Sequence, residues 1–190
     1  TEPASQNRTG ADPVRFFHVP CRDLTDGSKR CIIGASKFPG GEAYADHFPD
    51  ASPKNLLLVG KSGLGKTFLL HCIAHRLADR GILPTYISAY HFLELARKGY
   101  MENSSAPLSP LLNAPLLLID DLGTEPLMQN ITITQLFNLL NERQVSGLHT
   151  VISTNLDTSE LKARYTERIT SRLSDPTNWQ KVSLTGEDIR

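Results

Sequence analysis

Residues Gly60-Lys61-Ser62-Gly63-Leu64-Gly65-Lys66-Thr67 lie between a short apolar run, residues 56–59, and a segment with helical periodicity that starts at Lys66. The stretch matches the pattern G-x-x-x-x-G-K-[ST] without a mismatch. Glycines in such a loop let backbone N–H groups curl around phosphate oxygens, and the helix that follows points its positive end at them. A glycine-rich turn that happens to carry Lys-Thr is the alternative, but the position between a strand and a helix favours a phosphate-binding loop.

Two side chains of this loop have defined tasks in nucleotide binding. Lys66 supplies a positive charge for the β- and γ-phosphates of ATP, and Thr67 offers a hydroxyl to Mg²⁺. We therefore predict that ATP and Mg²⁺ bind here. The predicted nucleotide-binding residues are Gly60, Lys61, Ser62, Gly63, Leu64, Gly65, Lys66, Thr67 and Phe68.

Predicted strands alternate with predicted helices along the rest of the chain. The strands are expected at residues 56–59, 85–88, 116–120, 150–153 and 181–184. The helices are expected at residues 41–48, 66–79, 89–98 and 131–145, and a last one starts at Asp157 with a capping box completed by Glu160. Residues 101–110 are expected to form a loop. This alternation predicts a three-layer α/β fold with a central, mostly parallel five-stranded sheet.

Composition limits the remaining possibilities. The chain has 190 residues, which suits one domain, and its 20 basic and 20 acidic residues give a formal net charge of zero. Nucleic acid would therefore be bound through a local patch rather than by the field of the whole molecule. No apolar run is long enough to span a bilayer, and three unpatterned cysteines favour a reducing, cytoplasmic setting. Residues 1–50 are predicted to be a partly disordered extension, with short strands within 16–38, and residues 51–190 the main domain.

A pair of carboxylates follows the third predicted strand. In Leu116-Leu117-Leu118-Ile119-Asp120-Asp121 the apolar run ends on two acids. Asp120 is predicted to hold Mg²⁺, and Asp121 to orient or deprotonate the attacking water. A solvated turn at Asp121-Leu122-Gly123 is the alternative, but a position two strands after a phosphate loop favours the functional interpretation.

From residue 54 to 190 the sequence resembles the AAA+ ATPase domain of DnaC/DnaI-type replicative helicase loaders and their IstB-like relatives. Four blocks and the chain ending carry the resemblance: Asn55-Leu56-Leu57-Leu58-Val59-Gly60, the Leu117-Leu118-Ile119-Asp120-Asp121-Leu122-Gly123 block, Val151-Ile152-Ser153-Thr154-Asn155, Arg164-Tyr165-Thr166-Glu167-Arg168-Ile169-Thr170-Ser171-Arg172-Leu173, and Gly186-Glu187-Asp188-Ile189-Arg190. The resemblance implies a P-loop NTPase fold of the AAA+/ASCE class and an ATPase activity that is weak in an isolated monomer.

The resemblance also implies roles that spacing does not. Asn155 matches the sensor I position, whose amide contacts the γ-phosphate or the attacking water; from the residues alone, a helix cap or turn residue is the alternative. Arg172 matches the arginine finger that reaches ATP bound by a neighbouring subunit, and Arg168 matches its partner, which implies a homo-oligomer. The alternative for both arginines is a solvated basic helix face.

Further expectations concern partners. The resemblance implies a hexameric replicative helicase as partner, contacted through an N-terminal domain missing from this chain, and it implies single-stranded DNA. Arg97, Lys98 and Tyr100 are the candidate DNA contacts, whereas Phe92 is expected in the core. The chain is expected to be a fragment of a longer protein, with a minimal or absent helical lid after the last strand.

Three alternative functions stay open beside helicase loading. The first is an IstB-like helper ATPase for transposition. The second is a P-loop kinase acting on a small substrate, and the third is a nucleotide-gated binding module with almost no turnover. The Arg168–Leu173 block and the chain ending favour a loader over the transposition helper.

Overall fold

The structure, a computed structural model, describes residues 39–186 of the chain. The strands expected within 16–38, the expected disorder of the first residues and the last four residues of the chain ending lie outside the described residues. Five strands form one parallel sheet in the order β2-β3-β4-β1-β5. They are β1 (Asn55–Val59), β2 (Thr85–Ser88), β3 (Leu116–Leu122), β4 (His149–Thr154) and β5 (Trp179–Ser183).

Helices connect and cover these strands. They are α1 (Pro39–His47), α2 (Lys66–Asp79), α3 (Ala89–Met101), α4 (Ser109–Asn113), α5 (Thr134–Val145) and α6 (Thr158–Leu173). A 3₁₀ turn, Ala106–Leu108, precedes α4, and a π-helical turn, Gln129–Ile133, leads into α5. The predicted three-layer α/β fold with five strands is therefore confirmed.

Two apolar clusters hold the layers together, one on each face of the sheet. Strand β1 shows why: Leu56 and Leu58 point to the cluster beneath α1 and α2, while Leu57 points to the cluster beneath α3, α5 and α6. Successive side chains of a strand alternate between faces, so a strand covered on both sides is apolar throughout. The apolar faces of α2 and α5, with Leu70 and Leu139 among their residues, are buried in these clusters.

Helix α1 packs against α2 rather than standing apart. Arg80 donates to the carbonyl of Phe48 at 2.9 Å, and Tyr44 donates to the carbonyl of Lys54 at 2.8 Å. The helix thus contributes to the core within the described residues. The division of the chain at residue 50 stays a prediction.

Two connections differ from the expected ones. Residues 101–110 were expected to form a loop, but α3 continues to Met101 and α4 begins at Ser109, because Pro110 is compatible with the first turn of a helix. The helix begun by Asp157 has both capping-box bonds, as predicted. It is nevertheless broken inside, since Thr166 has a φ of 71° and a ψ of 163°.

Arg143 is a charged residue in the core. It is only 1% exposed, and its guanidinium donates to the carbonyls of Leu111 at 2.6 Å and Ala114 at 2.9 Å, and to His149. Burial lowers its pKa to about 10. Arg143 therefore fastens the segment before β3 to α5 and to the start of β4, and so supports the strand that carries Asp120.

None of the helices in the described part of the chain combines the length and the apolar character needed to cross a membrane.

Candidate active site

Strands β1, β3 and β4 are adjacent and parallel, so the residues that follow them meet at one edge of the sheet. The pairing of β3 with β4 shifts between Ile119 and Leu122, which is the mark of a bulge. At the bulge Asp121 has a φ of 54°. The irregularity redirects Asp121 relative to a regular strand, and both carboxylates lie at the carboxyl edge of the sheet.

The loop before α2 has the geometry of an anion cradle. Gly63 and Gly65 have φ values of 82° and 84°, a region that side chains rarely adopt. A Cβ atom on Gly60 would lie 2.6 Å from the carbonyl oxygen of Leu184, so a larger residue cannot stand there. Lys66 is buried, and its Nζ donates to the carbonyl of Lys61 at 2.8 Å. The ammonium is thus held over the loop that is predicted to bind phosphate.

The other predicted residues of the loop surround this centre. Lys61 and Ser62 are exposed, Leu64 is buried, and Thr67 and Phe68 are half-buried. Leu64 packs in the cluster beneath α1 and α2, which ties the loop to the core. The structure therefore brings the predicted nucleotide-binding residues together at the start of α2.

Asp120 lies at the centre of a hydrogen-bond network. Its Oδ1 accepts from the hydroxyl of Thr67 at 3.2 Å and from that of Ser153, and its Oδ2 accepts from the hydroxyl of Tyr86 at 2.6 Å. Burial raises the pKa of Tyr86, and the bond to Asp120 raises it further, so the phenol keeps its proton. The two predicted Mg²⁺ ligands, Thr67 and Asp120, are thus neighbours.

The donor set at this point fits Mg²⁺. A hydroxyl and a carboxylate are hard oxygen ligands, and Mg²⁺ is commonly held by one or two such groups together with water and the phosphates of a substrate. Within residues 39–186, no group of three or more His, Cys, Asp or Glu side chains forms an alternative metal site. The residues that would hold Mg²⁺ are therefore Thr67 and Asp120.

Asp121 and Asn155 lie close enough to influence each other. Asn155 lowers the pKa of the Asp121 carboxyl, although the two residues follow different strands. Burial and the charge of Asp120 raise the pKa of Asp121, while Lys66 and Asn155 lower it. The arrangement holds a carboxylate beside the lysine of the phosphate loop, where it can orient water and accept a proton.

The two arginines predicted to act as a finger and its partner lie on α6, and both contact the same aromatic ring of α5. The guanidinium of Arg168 lies 4.5 Å from the centre of the Phe137 ring, and that of Arg172 lies 4.6 Å from it. Among the described residues, neither forms a salt bridge with a carboxylate. Arg164, which precedes the break at Thr166, contacts Glu125 instead of Phe137.

The candidate DNA contacts lie at the end of α3. Arg97, Lys98 and Tyr100 are exposed, and Tyr100 retains 58% of its surface. Tyr100 lines a cleft of about 640 Å³ between the end of α3, the turn before α4, and α5. Phe92, by contrast, is buried in the core, as predicted.

Sequence reasoning missed four residues near the site. Tyr86 and Ser153 donate hydrogen bonds to the carboxylate of Asp120. The ring of Phe137 contacts the guanidinium groups of Arg168 and Arg172, and Glu125 contacts α6. Ser153 and Glu125 offered a signal, since each is a polar residue at or just beyond the end of a buried strand. Phe137 gave none, because an aromatic residue in a helix is ordinarily part of the core.

Comparison with curated proteins finds relatives in two groups. The chain is 29% identical to the replicative helicase loader DnaI of Bacillus subtilis (strain 168) over 114 residues, 60% of this chain and 37% of that protein. It is 28% identical to an ATP-binding protein of insertion sequence IS1162 from Pseudomonas fluorescens over 106 residues, 55% of this chain and 45% of that protein. The chain thus matches less than half the length of these two relatives.

Solved structures share the fold. The DnaC helicase loader superposes with a TM-score of 0.67 at 22% identity, covering 76% of this chain and 86% of that one. DnaI gives a TM-score of 0.64 at 24% identity, covering 79% and 80%. Domain III of the Thermotoga maritima replication initiation protein DnaA gives 0.65 at 25% identity, covering 78% and 62%. The predicted AAA+ P-loop fold is therefore confirmed.

The family assignment rests on a longer match than either of these two curated sequences provides. The sequence profile of the family described as IstB-like ATP binding protein matches residues 47–184, which include β1, the phosphate loop, both acids of β3, Asn155 and the arginines of α6. Since the match covers more than half of the chain, the protein belongs to the IstB-like ATP-binding protein family.

Proposed function

We propose that the chain is the ATPase domain of a replicative helicase loader, which binds single-stranded DNA as an oligomer when ATP is bound and releases it after hydrolysis. The observation that carries the proposal is the joint placement of Lys66, Thr67, Asp120, Asp121 and Asn155 at one edge of the sheet. This set provides a phosphate charge, two Mg²⁺ ligands, a base and a polar sensor. The similarity to DnaI supports the loader class in particular.

Each residue has a separate task in hydrolysis. Lys66 binds the β- and γ-phosphates, and Asp121 orients a water molecule toward the γ-phosphorus with help from Asn155. The water oxygen forms a bond to phosphorus, the bond to the ADP oxygen breaks, and Asp121 accepts the proton of the water. Mg²⁺ held at Thr67 and Asp120 would neutralise charge on the phosphate oxygens.

The arginines of α6 complete the site of a neighbouring subunit in this proposal. The guanidinium groups of Arg168 and Arg172 lie together against the ring of Phe137, and no carboxylate among the described residues forms a salt bridge with them. A guanidinium stays charged and forks onto phosphate oxygens, which suits it to an incoming γ-phosphate. Hydrolysis would then require assembly of subunits.

Single-stranded DNA is proposed to bind at the end of α3. Arg97 and Lys98 supply positive charge for the backbone, and the exposed ring of Tyr100 supplies a surface on which a base stacks. With a net charge of zero, binding depends on this local patch. Binding is therefore expected to weaken steeply with salt.

A second candidate function is that of a transposition helper ATPase. The observation that favours it is the similarity to the IS1162 ATP-binding protein, at nearly the same identity as DnaI. Both functions use the same nucleotide site, so they differ in the partner protein. Pull-down of a purified hexameric helicase in the presence of ATP would favour the loader, and pull-down of a transposase would favour the helper.

The test of the proposal is fluorescence anisotropy of a labelled single-stranded oligonucleotide, titrated with the protein under ATP, ADP and no nucleotide. We expect the tightest binding with ATP. Substituting Arg97→Ala and Lys98→Ala together should weaken it about tenfold or more, since each phosphate contact is electrostatic. Equal binding under the three conditions, or no binding in any of them, would contradict the proposal that ATP controls the binding of single-stranded DNA.

A further inference from the structure

Glu125 is a buried acid in the loop after β3. Only 1% of its surface is exposed, and burying a carboxylate is unfavourable unless it is paired and hydrogen-bonded. Its Oε2 accepts from the backbone N–H of Gly123 at 2.9 Å, and its Oε1 accepts from the hydroxyl of Tyr165. The carboxylate thus bridges the turn that follows Asp121 and the middle of α6.

Arg164 adds two contacts from the same helix. Its Nη2 donates to the backbone carbonyl of Glu125 and lies 3.9 Å from Oε1, while its guanidinium lies 5.6 Å from the centre of the Tyr165 ring. The Nε atom of Arg164 is buried and has no hydrogen-bond partner within the described residues. Glu125 therefore fixes α6 through neighbouring residues, Arg164 and Tyr165, immediately before Thr166.

The break at Thr166 determines what this anchor controls. Thr166 has a φ of 71°, which ends the helical path of the first half of α6 and sets a new direction for the second half. Arg168 and Arg172 follow in that second half and lie on Phe137. Because the contacts of Glu125 with α6 end at Tyr165, they fix the starting point of the segment that carries both arginines.

We propose that Glu125 is a positioning residue that connects the turn after Asp121 to the arginine-bearing half of α6 through Tyr165, and so sets the reach of Arg172 toward a neighbouring subunit. The inference rests on the role of Arg172 in trans proposed above. It assigns Glu125 and Tyr165 a task in the donor subunit, since the arginines that they place act on ATP held elsewhere.

A purely structural role predicts a different pattern. If the Glu125–Tyr165 bond only stabilised the fold, its loss would impair the same subunit as a donor of arginine and as an acceptor that binds ATP. A positioning role impairs the donor alone. Tyr165→Phe distinguishes a structural role from a positioning role, because it removes the hydroxyl but leaves the ring, the carboxylate of Glu125 and the bond from Gly123 in place.

The experiment mixes two subunits that are each inactive in the proposed mechanism. Lys66→Ala subunits are expected to bind ATP too weakly to hydrolyse it but retain Arg172, and Arg172→Ala subunits are expected to bind ATP but lack the finger. Mixing them should restore hydrolysis at the mixed interfaces. Tyr165→Phe is then introduced into the Lys66→Ala donor or into the Arg172→Ala acceptor, and the ATPase rate of each mixture is compared with that of the parent mixture.

We expect Tyr165→Phe in the donor to lower the rate of the mixture about tenfold or more, the loss expected for one hydrogen bond to a charged group. In the acceptor it should change the rate less than about twofold and leave ATP affinity unchanged. Glu125→Gln, which keeps the side-chain volume but leaves one oxygen to accept from both Gly123 and Tyr165, should also lower the rate in the donor. Tyr90→Phe, on the exposed face of α3, is the matched control in the donor and should have no effect.

Each outcome has a distinct meaning. A parent mixture with no restored hydrolysis contradicts the action of Arg172 in trans, and the proposal for Glu125 falls with it. A restored parent mixture that is unaffected by Tyr165→Phe in the donor overturns the role of Glu125 alone. Equal losses in donor and acceptor also overturn it, because they indicate a structural role.

Discussion

The hydroxyl of Tyr86 donates a 2.6 Å hydrogen bond to Oδ2 of Asp120. The other oxygen of Asp120 accepts from Thr67, Ser153 and the backbone of Asp121, so both oxygens of the proposed Mg²⁺ ligand are oriented by partners. Loss of a residue that orients a metal ligand typically costs about 10–100-fold in metal affinity or activity. Tyr86, in β2, is therefore expected to act on the site through the carboxylate of Asp120.

Tyr86→Phe is expected to weaken Mg²⁺ binding about tenfold, because Asp120 loses the donor that fixes Oδ2. The measurement is the Mg²⁺ concentration that half-saturates ATP hydrolysis, together with ATP affinity in the presence of EDTA. The affinity for ATP in the absence of Mg²⁺ should be unchanged. Tyr90→Phe removes a hydroxyl from an exposed ring that lies against His91, and serves as the control. An unaltered Mg²⁺ requirement would contradict the role of Tyr86.

Lys66→Ala is expected to weaken ATP binding about 100-fold or more, since hydrogen bonds to charged groups contribute about 1.5–3 kcal/mol each. Titration of a fluorescent ATP analogue measures the change. Lys181→Ala, which removes an exposed lysine that bonds Thr158, is the matched control. Unchanged nucleotide affinity in the Lys66 variant would refute the assignment of the phosphate loop.

Arg172→Ala is expected to retain ATP binding and to lose hydrolysis by about 10³-fold, the scale of an arginine finger. The rate per subunit should rise with protein concentration in the unsubstituted chain and stay low in the variant. Lys162→Ala, which removes an exposed cation from the first half of the same helix, should behave like the unsubstituted chain. Normal hydrolysis by Arg172→Ala at every concentration would show that no finger acts in trans.

His149 makes stability depend on pH. It is buried beside Tyr44 and Phe48, and burial lowers its pKa below the ordinary 6.5. Below about pH 6.5 the unfolded chain binds a proton that the folded chain does not, so the free energy of unfolding falls as pH drops through this value. The loss is at most about 1.4 kcal/mol per pH unit for one proton. His71 acts in the same direction, because burial also lowers its pKa.

Urea denaturation between about pH 7.5 and 5.5 checks this dependence. His149→Gln should be less stable at neutral pH, because a packed ring is lost, but its stability should change less with pH. His75→Gln, at an exposed position of α2, is the matched substitution and should keep the slope of the unsubstituted chain. An equal slope in His149→Gln would show that another group is responsible.

The parts of the fold that local patterns control were predictable. The apolar run of β1, the glycine loop and the periodicity of α2 are decided within a few residues, and so is the capping box of Asp157 and Glu160. The meeting of Asp120, Asp121 and Thr67 was also predictable, because parallel strands bring their carboxyl ends to one edge. For these elements, the sequence contains the physical cause.

The features that were missed depend on contacts made by distant segments. The sequence around Arg143 is typical of an exposed charge on a helix. In the folded chain, however, carbonyls of residues 111–114 and of His149 surround its guanidinium. Thr166 breaks α6 although no glycine or proline lies nearby, and the anchor at Glu125 comes from a loop about forty residues earlier. Propensity carries no signal for such tertiary effects.

At the edge of the sheet, Asp121 is expected to orient and deprotonate the water that hydrolyses ATP. The most direct measurement compares steady-state ATP hydrolysis and ATP affinity for the unsubstituted chain and Asp121→Asn, at protein concentrations high enough for subunits to assemble. We predict that Asp121→Asn keeps ATP affinity and loses about 100-fold or more in hydrolysis, the scale of a general base. Hydrolysis that is unchanged in Asp121→Asn would contradict this role of Asp121, and would indicate a module that binds ATP without using this carboxylate.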